Sequence, residues 1–296
     1  MRGVRLGRVR GIELRLDWSV AILLGLLTWL LATEGLPTIS PGYSRGELWI
    51  AGLLSAIVFF ASLVAHELGH SIVAQRRGLE VRDITLWLFG GVATIEGDAR
   101  TPRDDFAIAL AGPLTSFAIT VLALASVAVL YAFGCPGIVV GCTAWLSSMN
   151  FVLAVFNLAP AAPLDGGRLL RAWLWHRTGD HRAAALRATR AGQVFALVLM
   201  ALGLLELAVG SRVEGAWMLV LGWVVRNAAR AESRQALTES GASLAPDTAR
   251  SAADHRSRPV PSAVHSRRVP LARTHRRPSR VPGDRRPAGR VRRDAR

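Results

Sequence analysis

The sequence predicts an all-α polytopic membrane protein of about six transmembrane helices, with a small β-hairpin or re-entrant sheet after the second helix. Three observations lead there. Hydrophobic residues make up 51% of the 296 residues, and the mean hydropathy is +0.31. That is too apolar for an ordinary soluble domain in which 19% of residues are charged. The excess sits in long apolar runs of the length that crosses a bilayer. The arginines also segregate. With six crossings, every arginine from Arg2 to Arg190 except Arg45 falls on the side of the N-terminus, and only Arg45 and Arg212 fall opposite. This asymmetry places both termini in the cytoplasm, and the chain is expected in the plasma membrane as a multi-pass protein.

The elements follow in order. Residues 1–17 form a basic cytoplasmic N-terminus. No small-residue cleavage site follows it cleanly, so the next run is a retained helix over about 18–33. A Gly/Pro/Ser-rich loop follows to Arg45. The second helix covers about 48–75 and stops at Arg76-Arg77-Gly78. Residues 79–97 are rich in strand formers around Gly90-Gly91, and read equally as a hairpin or as an interfacial loop. A third helix over about 105–133 contains Pro113, which can kink it. A fourth, over about 138–158, stops at Pro160. Residues 168–190 are amphipathic and basic, and two further apolar runs cover about 191–209 and 215–226.

The membrane domain is thus expected over 18–231, with an Arg/Pro-rich disordered cytoplasmic tail over 232–296. Residues 241–296 hold 15 Arg against 4 Asp without apolar periodicity, and cannot bury enough to fold alone. The tail reads as solvated, with no specific nucleic-acid target; contact with anionic lipid is the alternative. Cys135 and Cys142, the two cysteines, read as unpaired rather than bridged.

The chemistry lies in the apolar run ending His66-Glu67-Leu68-Gly69-His70. On a helix, positions i and i+4 share a face one turn apart. Two imidazoles so placed can take two corners of a tetrahedral zinc site, with Glu67 beside the metal as a base toward water. Two His and a Glu inside an apolar helix are costly unless a metal or a cavity satisfies them. A hydrolytic zinc needs a third protein ligand. Glu96, Asp98, Asp104, Asp105 and Asp165 are candidates. Asp165 fits best, because irregular backbone around Pro160, Pro163, Gly166 and Gly167 can aim a carboxylate inward. Its competing role is to cap the helix beginning near Gly166.

These residues resemble the site-2 protease family of intramembrane zinc metalloproteases. The resemblance rests on His66-Glu67-Leu68-Gly69-His70, Phe89-Gly90-Gly91-Val92-Ala93, Ala111-Gly112-Pro113 and the stretch from Asn157 to Arg168. It implies one zinc per chain on His66, His70 and Asp165, with Glu67 as general base. It also implies that Asn157 helps hold the substrate carbonyl or oxyanion, and that Gly90, Gly91 and Val92 offer an edge strand to an unwound substrate. That substrate would be a membrane-spanning protein, pre-trimmed by another protease and cut within the lipid bilayer. One subgroup of the family carries CBS modules after its last helix. The Arg/Pro tail shows no such pattern, so a CBS-module ligand is not expected. A non-catalytic metal-binding scaffold and a metal transporter are the competing readings. The first should lose Glu67 or a ligand, and the second should spread ligands over several depths or repeats.

Overall fold

The structure is a computed structural model that describes residues 4–243 apart from 88, 89 and 211. Within the basic N-terminal stretch, the described residues form a hairpin. Strands β1 (Val4–Val9) and β2 (Ile12–Leu16) meet at Arg10-Gly11. Both turn residues have positive φ, at 51° and 85°, the backbone of the tight turn that suits twisted strands. In β2, Ile12, Leu14 and Leu16 alternate with Glu13 and Arg15, and Ile12 is fully buried. This period-two pattern marks a strand, although the arginines dominate the composition.

β3 (Glu80–Trp87) and β4 (Gly90–Glu96) complete a four-stranded sheet in the order β1-β2-β3-β4. β2 and β3 run parallel, while the two outer pairs are antiparallel. The expected hairpin after the second helix is therefore part of a larger sheet, and β4 is one of its edges. Phe89 lies outside the described residues. Ile12, Val81 and Ile84 of the sheet pack with Ala74 and Ile108 of two helices, which fixes the sheet against the membrane bundle.

The first span is longer than expected. α1 (Ser19–Leu30) passes through a π-helical turn (Leu31–Gly35) into α2 (Leu36–Ile39), where a loop was expected from residue 34. Pro37 falls in the first turn of α2, just after the π-helical turn. Leu31 and Leu36 are held by burial against Leu48.

α3 (Arg45–Arg76) starts three residues earlier than expected. Ser44 and Glu47 form a reciprocal capping box there, which satisfies two orphan donors at the N-terminus. α4 (Pro102–Ala132) is continuous through the buried Pro113. α5 (Gly137–Asn157) and α6 (Asp165–Thr178) follow. α7 (His181–Val209) and α8 (Arg212–Ser243) form a closing helical hairpin. Its helices approach closely at small residues: a Cβ on Gly203 would lie 2.8 Å from Gly215 O. The expected sixth run, 215–226, is the first part of α8. The helix then continues to Ser243, past the expected membrane-domain end at 231; the rest of the tail is outside the described residues.

Among the described residues, five helical segments, Ser19–Ile39, Arg45–Arg76, Pro102–Ala132, Gly137–Asn157 and His181–Val209, are long and apolar enough to cross a membrane. Their outer faces expose large apolar side chains such as Ile50, Leu54, Leu122, Leu204 and Leu205. Polar residues, including His66, His70, Ser116 and Asn150, are buried between them. Apolar outside and polar inside is the arrangement hydrocarbon solvent demands.

Candidate metal centre

α3 and α4 cross at very short range because Gly69, inside H-E-L-G-H, has no side chain. A Cβ there would sit 2.5 Å from Thr115 Oγ1 and 3.0 Å from Ala111 O. Gly112 of α4 lies directly under the imidazole pair. A Cβ on Gly112 would overlap His70 Nε2 and stand 2.6 Å from His66 Nε2. The third partner arrives from the turn after α5. Gly166, Gly167 and Gly192 let that turn fold onto backbone atoms of Leu158, Ala159 and Ala162, which any Cβ at these three positions would strike. Asp165 thereby becomes the first residue of α6. Leu164, not Asp165, occupies the cap position.

Three donor atoms converge. Asp165 Oδ2 is 3.2 Å from His66 Nε2 and 3.2 Å from His70 Nε2, and the two Nε2 atoms are 3.3 Å apart. His66, His70 and Asp165 are the cluster of metal-donor residues found among the described residues. Tetrahedral zinc with bonds of about 2.0–2.1 Å to nitrogen and oxygen would separate its ligands by about 3.3–3.4 Å, so this triangle matches one face of such a site. The protonation pattern agrees. His70 Nδ1 lies 2.7 Å from Ile108 O. A carbonyl only accepts, so Nδ1 carries the hydrogen and Nε2 keeps its lone pair for a cation. His66 Nδ1 lies 2.9 Å from the buried Ser116 Oγ. The Ser116 hydroxyl can accept from His66 Nδ1 in the same way, which would leave two imidazole lone pairs and a carboxylate oxygen facing one spot, so the residues fit zinc.

Glu67 is not one of the three converging donors. Its carboxylate packs under the backbone of Gly91 in β4, where a Cβ would come within 2.6 Å of Cδ and 2.9 Å of Oε1. It is within electrostatic reach of both His70 and Asp165. Gly90, Gly91 and Val92 begin the edge strand β4, paired to Trp87, Leu86 and Thr85. Asn157 is the last residue of α5 and half-buried. Helical spacing puts it on the face of Asn150 and Ala154, both buried. Among the described residues, no hydrogen bond joins its side chain to the triad.

The other carboxylates considered from sequence have different partners. Asp104 pairs with Arg77 and Glu96 with Arg82. Asp105 pairs with Arg168 and Arg171. Asp98 lines a cavity of about 310 Å³ together with Asp105, Arg168, Arg171 and Glu232. Burial in that wall pushes the Glu232 carboxyl up, against the pull of Arg171 and Arg168.

Sequence reasoning did not find Ser116, nor the role of Gly112. Their signal is the spacing of Ile108, Gly112 and Ser116, which sets them on one stripe of α4. We expect Ser116→Ala to fold normally and to bind zinc about tenfold more weakly, as for other partners of a ligating histidine. Chelator competition on the purified chain measures this, and unchanged affinity would show that the hydroxyl does not support His66.

The fold and the site define a polytopic membrane protein with a buried His-His-Asp metal centre. The sequence profile of Peptidase family M50 matches residues 54–139 and 135–202, half of the chain, and the protein belongs to that family. Rip3 of Mycobacterium tuberculosis is 46% identical over 236 residues, which cover 80% of this chain and 60% of Rip3. Zinc metalloprotease MJ0392 of Methanocaldococcus jannaschii is 38% identical over 152 residues, covering 51% of this chain and 43% of that protein. The solved site-2 protease from Methanocaldococcus jannaschii superposes with a TM-score of 0.52 at 29% identity, over 78% of this chain and 95% of that one. The chain thus spans about three fifths of Rip3.

Proposed function

We propose that the protein is an intramembrane zinc endopeptidase. It hydrolyses peptide bonds in or near the transmembrane segments of other membrane proteins. The observation that carries this reading is the triangle of His66 Nε2, His70 Nε2 and Asp165 Oδ2, with edges of 3.2–3.3 Å, whose two histidines lie on a helix apolar enough to span a membrane. A metal transporter is less well supported, since the described residues hold a single cluster of this kind. A non-catalytic scaffold has no use for a Glu67 kept beside that cluster.

In this reading His66, His70 and Asp165 hold the zinc. The bound metal would supply a Lewis acid for a peptide carbonyl and acidify a water molecule. Glu67 takes the proton from that water and later returns it to the leaving amine. Asn157, on the inward face of α5, steadies the substrate carbonyl or the oxyanion. The edge of β4 at Gly90, Gly91 and Val92 pairs with the substrate main chain, holding it extended above Glu67. The membrane is the plasma membrane, both termini are cytoplasmic, and another protease has already trimmed the substrate. The arginine asymmetry supports the orientation.

A strand on β4 cannot be a helix, so the substrate must unwind before cleavage. The test is cleavage of a single-span peptide in liposomes by the full chain, with zinc removed and then restored. Cleavage should vanish with the metal and return with it. Introducing Gly or Pro near the cut site should raise the rate about tenfold, because either residue costs about 1–3 kcal/mol in a helix. Rates indifferent to these substitutions would argue against strand-wise binding, and cleavage that survives chelation would remove the zinc protease reading.

A further inference from the structure

Asp105 is a carboxylate with no solvent exposure, and its partners are not catalytic. Arg171 grips it with two hydrogen bonds, Nε to Oδ2 at 2.9 Å and Nη2 to Oδ1 at 2.7 Å. Arg168 adds a longer contact from Nη2 to Oδ1 at 3.5 Å. Both arginines belong to α6, the short helix whose first residue is Asp165, and Arg168 is one turn from it. Asp105 is on α4, on the same stripe as Ile108, Gly112 and Ser116. Ile108 O and Ser116 Oγ hold the outer nitrogens of His70 and His66. One face of α4 therefore orients both imidazoles and, through the arginines, also grips the helix that carries the third ligand.

We infer that Asp105 is a positioning residue for the metal centre: its forked ion pair with Arg171 locks the start of α6 so that Asp165 Oδ2 meets His66 and His70. The inference rests on the zinc site proposed above. A bidentate Arg–carboxylate pair fixes distance and direction together, and it ties α6 to α4 in addition to the close backbone packing of the turn at Gly166 and Gly167. Outer partners of metal ligands are worth about 10–100-fold in metal affinity, and Asp105 acts one step further out through helix α6.

The test is zinc affinity of the full chain in detergent, measured by chelator competition, beside the melting temperature of the zinc-free form. Asp105→Asn should weaken zinc binding about tenfold or more. Arg171→Lys, which keeps the charge and loses the fork, should fall between it and wild type. A buried charge left alone also destabilises a protein, so a second variant separates the two effects. In Asp105→Leu/Arg171→Met both charges of the fork go together and the part-exposed Arg168 is left to offset Glu232, a change that buried pairs often tolerate without loss of stability. It should melt close to wild type and still bind zinc about tenfold more weakly.

The inference is overturned if the Asn variant or the apolar double variant folds and binds zinc within about twofold of wild type. It also falls if no variant folds, since the pair is then a stability element alone. A wild-type chain that binds zinc but cleaves nothing would remove the protease reading and leave this inference standing. A wild-type chain that cleaves, with variants that bind zinc normally, would do the reverse.

Discussion

Glu67→Gln should leave zinc binding within about twofold of wild type and lower the rate of peptide cleavage by about 10³-fold, the middle of the range for a lost general acid–base group. The geometry separates the two outcomes. The three converging donors are His66, His70 and Asp165, and Glu67 is not among them, so the amide takes nothing from the metal. Gln has nearly the volume of Glu and can keep the same packing beneath Gly91, where the backbone leaves no space for a Cβ. What is lost is the ability to accept a proton from water and return it. The measurement is single-turnover cleavage of a membrane peptide at saturating zinc, with metal content determined on the same sample. Equal cleavage by both forms would remove Glu67 as the base, and with it the hydrolytic mechanism proposed for this site. Loss of zinc along with activity would instead make Glu67 a ligand.

The parts of this site that were legible in the sequence are those in which chemistry conflicts with setting. Two histidines and a glutamate in an apolar run have no cheap structural explanation, and neither has a carboxylate set among Pro and Gly at the end of a span. The supporting residues carry no such conflict. Ser126, Thr120 and Thr143 each turn their hydroxyl back to a carbonyl four residues earlier, a common fate for such residues in apolar helices. Ser116 looks the same in sequence, and only the crossing of α3 and α4 directs it to His66. Asp105 was visible as an acid near the start of a helix. Its partners Arg168 and Arg171 lie 63 and 66 residues downstream, a separation that no local pattern reports.

The N-terminal hairpin was missed for a different reason. The alternation of Ile12, Leu14 and Leu16 is a strand signal, but it is short, and the arginines around it match the flank of a first membrane helix equally well. Its pairing to β3 depends on a partner about 70 residues away, Glu13 facing Asp83. The first helix outran its expected end because Glu34, Gly35 and Pro37 read as a loop. The burial of Leu31 and Leu36 against Leu48 overrides that preference.

Gly112→Ala is the substitution in which local and site-level preferences are most opposed. Alanine is the better helix former, by about 0.8–1.0 kcal/mol in a helix interior, so α4 itself should favour the change. The site should not. The new Cβ would overlap His70 Nε2 and stand 2.6 Å from both His66 Nε2 and His70 Cε1. The rings cannot simply retreat, because Ile108 O and Ser116 Oγ hold their far nitrogens at 2.7 and 2.9 Å. Either those bonds break or α4 moves away from α3, and both separate the donors. Zinc affinity should fall about 100-fold or more, the upper end of what displaced outer partners cost, and cleavage should fall with it. Gly25→Ala is the matched control. It lies inside α1 with open space around the added Cβ, and should leave both zinc affinity and cleavage unchanged. If Gly112→Ala bound zinc like wild type, the imidazoles would have to sit elsewhere than above α4, and the metal centre would need a different set of ligands.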